Sequence, residues 1–93
     1  MASIRSLKKD IDYLASEVLV DCQIYLFTNG GKNLESIEAI VDATYQLRED
    51  LFDRINTPVK EGIKSHFRSI KEDLNSGIDS LFEQISQLAA AKE

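Results

Sequence analysis

The chain has 93 residues, a net charge of -5 at neutral pH and a hydrophobic content of 43%. This length allows one domain at most, and the hydrophobic content is too high for a disordered chain. A net acidic chain is poorly suited to nonspecific nucleic-acid binding, which needs basic residues that displace counterions. We therefore expect a single domain over residues 1–93 that does not bind nucleic acid.

The sequence also indicates in which cellular compartment the protein is expected. Its single cysteine, Cys22, cannot form an internal disulfide, which favours a reducing environment. The first ten residues include basic side chains, but no apolar segment of a signal peptide follows them. The longest apolar-rich run, residues 18–27, is too short to span a bilayer and is interrupted by Asp21 and Gln23. These features predict a cytoplasmic protein without a membrane span.

The first predicted helix covers about residues 3–28, with Ser3 as its N-cap. Its apolar residues recur every three or four positions, which is typical of one helical stripe: Ile4, Leu7, Ile11, Leu14 and Val18. From Val18 onward apolar side chains surround most of the helix. A strand is the alternative there, but no second strand-like run follows it. Asn29, Gly30 and Gly31 are predicted to end the helix.

The second predicted helix covers about residues 34–56, with Asn33 as its N-cap and the Thr57-Pro58 pair at its end. The third covers about residues 58–91, with Thr57 as its cap and Pro58 in its first turn. Gly62 and Gly77 fall inside this third helix. The stretch around Gly77 is where it could break, leaving a fourth short helix. The predicted fold is all-α, an up-down-up three-helix bundle with coiled-coil-like packing.

A register for the second and third helices follows from pairing apolar residues whose numbers sum to 114, such as Leu47 with Phe67. An acidic strip on the second helix then meets a basic strip on the third through three pairs: Asp53 with Lys60, Glu49 with Lys64, and Asp42 with Lys71. The alternative is that both strips are solvated faces. Exposed pairs contribute only about 0–1 kcal/mol each, so they would specify the register more than they stabilise it.

In this register the third helix extends beyond the start of the second, at the end where the first helix is apolar nearly all round. Such surplus apolar surface predicts an interface. Its expected anchors are Tyr25, Phe27, Leu81, Phe82, Ile85 and Leu88. We accordingly expect a homodimer or a complex with a protein partner.

No motif predicts catalysis, a cofactor or a metal site. Cys22 is interpreted as a small buried hydrophobe and His66 as a residue at the edge of the core, too far apart to form a nucleophile and base. The turn from Asn29 to Asn33 lacks the spacing of a phosphate-binding loop. The acidic residues lack the inward Glu-x-x-His pattern of di-iron bundles.

The stretch IRSLKKDIDYLASEVLVDC, with its Leu-Lys-Lys-Asp and Glu-x-Leu-x-Asp-Cys runs, resembles small uncharacterised all-helical bacterial proteins. The resemblance covers the first quarter of the chain and implies no activity.

The leading hypothesis is thus a non-enzymatic interaction or self-associating bundle. The alternative is a bundle that binds a small molecule or lipid in an apolar pocket between helices, which stabilisation by fatty acids would reveal. An enzyme that uses Cys22 or His66 is the third and weakest hypothesis.

Overall fold

The computed structural model describes residues 4–90, which form three helices: α1 (Ile4–Thr28), α2 (Leu34–Asn56) and α3 (Ile63–Ala90). Each helix packs against both others, and no strand occurs within these residues. The predicted all-α three-helix bundle is confirmed. Ser3, the predicted cap of the first helix, and residue 91, the predicted end of the third, lie outside the described residues.

The core is a single apolar cluster to which every helix contributes one stripe. In α1 the buried residues include Leu7, Ile11, Val18 and Cys22, whereas Ile4 at the predicted start of the stripe is half exposed. In α2 and α3 they include Ile37, Ile40, Leu51, Ile55, Ile70, Leu74, Ile78, Leu81 and Ile85. Thr44 is the buried polar residue of α2, and its hydroxyl donates to the carbonyl oxygen of Ile40 at 2.8 Å. That bond removes the cost of burying an unpaired hydroxyl.

The turn between α1 and α2 forms as predicted, because glycine adopts the left-handed conformation that ends α1. Gly30 has φ 62°, and the amide of Gly31 donates to the carbonyl of Leu26 at 2.9 Å, as in a Schellman motif. Asn33 is the N-cap residue of α2 but makes no side-chain cap bond. The side-chain amide of Asn33 instead donates to the Tyr25 hydroxyl at 2.7 Å, which connects the turn to α1.

The predicted start of the third helix at residue 58 is wrong, because α3 begins at Ile63. Thr57 is extended, as expected before proline, and its hydroxyl donates to the carbonyl of Asp53 at the end of α2. Gly62 has φ +65°, which a helix interior does not allow, and its carbonyl accepts the amide of His66. Residues 57–62 are therefore a connection between α2 and α3.

The predicted register of α2 and α3 is also wrong. Leu47 lies opposite Gly77 instead of Phe67, and the Arg54 guanidinium contacts Asp73 and Ser69, both at 2.7 Å. None of the three predicted acid–base pairs is among the ion pairs of residues 4–90, which are Arg48–Asp12 and Arg54–Asp73. The later start of α3 at Ile63 contributes to this shift, which places Gly77 instead of Phe67 opposite Leu47.

The shifted register also removes the predicted overhang of α3. The Tyr25 hydroxyl lies 3.5 Å from the carbonyl oxygen of Leu88 and 2.7 Å from the Asn33 amide at the start of α2. Leu88 is therefore level with the first turn of α2, and the last turns of α3 have partners on both neighbouring helices.

Gly77 does not break α3, which is continuous from Ile63 to Ala90. A Cβ at this position would lie 2.7 Å from Cδ2 of Leu47, well inside van der Waals contact. Glycine at this position lets the Leu47 side chain approach the α3 backbone, and any larger residue would require that side chain to move.

We expect Gly77→Ala to stabilise the bundle only when Leu47 is truncated. In a Leu47→Ala background the added methyl has room, and the better helix propensity of alanine should raise the free energy of unfolding by roughly 0.5–1 kcal/mol. With Leu47 present the methyl forces that side chain to move, which offsets the gain. Urea unfolding of the four proteins of this cycle measures the difference, and an equal gain in both backgrounds would contradict the contact.

The bundle is elongated, with extents of 52 × 20 × 18 Å and a radius of gyration of 15.3 Å. A compact domain of this length would have a radius of gyration of about 12 Å. In such a thin rod each helix has two neighbours and keeps an outward face. Within residues 4–90 no helix has the length and apolar character needed to cross a membrane.

Candidate protein-interaction surface

Most of the predicted interface anchors lie inside the monomer. Tyr25, Leu81 and Ile85 are buried, and Phe82 and Leu88 are half-buried and pack against the core. Phe27 differs from these five because it is 89% exposed. The anchors on α3 are covered because the shifted register brings the C-terminal half of α3 against α1 and α2.

A different set of apolar side chains is exposed on the outward face of α1. Tyr13, Val20, Ile24 and Phe27, called the outer stripe below, are 63%, 51%, 52% and 89% exposed. At about 100° per residue these four positions cluster on the side of the helix opposite Leu7, Ile11 and Val18. The outer stripe is therefore a second apolar face of α1 that the monomer does not cover.

Three carboxylates follow one edge of the outer stripe. Asp10, Glu17 and Asp21, the acidic flank, lie on the side of α1 that faces α3; Asp10 and Glu17 are exposed and Asp21 is half-buried. None of the three takes part in the ion pairs of residues 4–90. The outer stripe thus carries unneutralised negative charge along one side.

Phe27 was a predicted interface anchor, whereas the exposure of Tyr13, Val20 and Ile24 was not predicted from the sequence. The available signal was a second apolar series in α1, at positions 13, 20, 24 and 27, opposite in phase to the core series. It was hidden because residues 18–27 are apolar on nearly every side, so both series merge there.

An open groove of about 320 Å³ lies between α1 and α3 near the start of the bundle. Leu7, Leu14 and Leu74 supply its apolar lining, and Asp10, Tyr13, Lys71 and Asn75 complete it. Lys71, predicted to face α2, thus lies on the α1 side of α3. The alternative of a small-molecule-binding bundle stays a prediction, and this groove is where a ligand would be sought.

Cys22 is buried, with 2% of its surface exposed, in the core stripe of α1. Burial raises the pKa of its thiol, and the neighbouring Asp21 carboxylate raises that pKa further. Both effects disfavour the thiolate, which is the nucleophilic form of cysteine.

His66 forms a hydrogen bond with the last turn of α2. Its Nε2 lies 2.8 Å from the carbonyl oxygen of Arg54, one of the last four carbonyls of α2, which lack partners within the helix. Since Tyr25 is beside Leu88, Cys22 is level with Ile85, and His66 lies roughly 28 Å further along the rod at 1.5 Å per residue. The structure does not bring these two residues together. No cluster of three or more potential metal ligands occurs within residues 4–90.

The raised thiol pKa predicts slow alkylation of Cys22 in the folded protein. With iodoacetamide near neutral pH, mass spectrometry should show modification far slower than in the urea-unfolded chain. Because the folded-state pKa lies above the unfolded one, the stability that this group contributes is present below the unfolded pKa and is lost as pH rises through the folded pKa. Equal alkylation rates for the folded and unfolded chains would contradict this account.

Comparisons of the chain with protein-family models, with curated proteins and with solved structures found no match. The interpretation of the outer stripe therefore depends on its own geometry and chemistry.

Proposed function

We propose that this protein is a non-enzymatic interaction module that binds a protein partner through the outer stripe of α1. The observation that carries the proposal is the exposure of Phe27, at 89%, at the end of an apolar face shared with Val20 and Ile24. Scattered exposed apolar residues are common, but several on one face are typical of an interaction site.

The chemistry of the remaining residues supports a role without catalysis. The thiol of Cys22 is buried and its pKa is raised, so the nucleophilic form is disfavoured. The ring of His66 is engaged by the carbonyl of Arg54 at the other end of the rod. Cys22 packs in the core and His66 contacts the last turn of α2, so each side chain has a structural role.

A variant in which Val20, Ile24 and Phe27 are all replaced by serine tests the proposal. These side chains are exposed, so the bundle should still fold, as circular dichroism and thermal unfolding will verify. We expect proteins that cross-link to the wild-type chain in native lysate to be lost with this variant, because the apolar contact area is gone. Quantitative mass spectrometry of the cross-linked fractions is the measurement.

A control variant, Tyr45→Ser with Ile63→Ser, removes apolar side chains of similar exposure, 56% and 54%, from α2 and α3. It should retain the partners of the wild-type chain. If the stripe variant retains them as well, or if both variants lose them equally, the outer stripe is not the contact surface.

A further inference from the structure

We infer that the partner segment is an amphipathic helix of a different protein, with lysine or arginine along the edge that faces the acidic flank. This inference rests on the proposed function, because it names the chemistry of the partner that the outer stripe would bind. Two independent features support it, namely the spacing of the apolar residues and the charge beside them.

The spacing of the outer stripe suits a helix. Tyr13, Val20 and Phe27 are seven residues apart, and Ile24 lies between the last two at the alternating spacing of four and three. Alternating steps of three and four form the seam along which two helices pack side by side. The stripe covers 15 positions, about 22 Å of helix, which matches an amphipathic segment of two to three heptads.

The charge beside the stripe selects a basic partner. Glu17 and Asp21 make no ion pair within residues 4–90. Lys71 lines the groove that also includes Asp10, so its charge offsets that end of the acidic flank. The carboxylates of the acidic flank whose charge is not offset are therefore Glu17 and Asp21, which lie beside Val20 and Ile24. Complementary charge at a rim contributes to specificity and to the rate of association.

A second copy of this chain fits the surface poorly. Glu17 lies seven residues before Ile24, at the inner border of the acidic flank, so in a parallel pairing of two outer stripes it approaches Glu17 of the other copy. In an antiparallel pairing whose midpoint is level with Leu19, Glu17 of one copy lies opposite Asp21 of the other, because equivalent edges face each other. Both arrangements bring like charges together, whereas a basic helix neutralises them.

The experiment uses a fluorescein-labelled model peptide of about three heptads, with leucine at the seam and lysine at the flanking positions. Fluorescence anisotropy at low salt should show binding to the full-length protein, and added salt should weaken it. The Glu17→Gln/Asp21→Asn double variant should bind roughly fivefold more weakly, as expected for two exposed charge pairs. The Val20→Ser/Ile24→Ser variant should bind at least about tenfold more weakly, because it removes the apolar contact.

A matched control separates specific from general attraction. Glu38→Gln/Asp42→Asn on the exposed face of α2 removes the same amount of charge and should leave binding unchanged. An equal loss in this control and in the Glu17/Asp21 variant would overturn the inference, since the peptide would then respond only to net charge.

Two further results would overturn the partner chemistry while leaving the proposed function standing. The first is equal binding of a peptide with glutamate in place of lysine, which would show an apolar surface without charge selection. The second is a homodimer in sedimentation equilibrium that Val20→Ser/Ile24→Ser dissociates, which would make a second copy the occupant. The proposed function itself fails if the cross-linked partners are retained by the stripe variant, or if the stripe and control variants lose them equally.

Discussion

The contact between Leu47 and the backbone of α3 at Gly77 fixes the register in which α2 and α3 pack, and the burial of the C-terminal half of α3 depends on that register. Glycine lets the leucine methyl groups approach without moving, and the connection at residues 57–62 precedes α3 in this register. In this register the C-terminal half of α3 is covered by its neighbours. Leu81 and Ile85 thereby become core residues and are removed from any surface.

The same packing explains why α1 retains an apolar outer face. A three-helix rod gives each helix two neighbours, so one side of every helix meets solvent. On α2 that side carries the exposed carboxylates of Glu38, Asp42 and Glu49 beside a large apolar side chain, Tyr45. On α1 the outward side carries the outer stripe, and exposing its apolar side chains to water is unfavourable. The contrast between these two outward faces is the physical basis of the proposed interaction surface.

The number of helices, most of their buried positions and the α1–α2 turn follow from local patterns and were predicted correctly, whereas Ile4 and Ile63 at the ends of the apolar series are exposed. The start of α3 was not predicted correctly, because Pro58 suits the first turn of a helix as well as a connection, and only the left-handed Gly62 decides between them. The register of two packed helices cannot be fixed from their apolar repeats alone. If one helix is shifted by a few turns, its apolar residues again lie opposite apolar residues of the other. Tyr25 illustrates the resulting error. As an aromatic residue it was a plausible interface anchor, but its hydroxyl contacts Asn33 and Leu88 within the monomer.

In the structure α2 and α3 pack with Leu47 against Gly77, so that Leu81 and Ile85 are buried while the outer stripe of α1 is an exposed apolar face. Nuclear Overhauser effects from the methyl groups of Leu47 test this most directly. The account predicts strong effects to the α protons of Gly77 and none to the ring of Phe67. Strong effects to the Phe67 ring and none to Gly77 would contradict it, because α3 would then extend past α2 and expose Leu81 and Ile85.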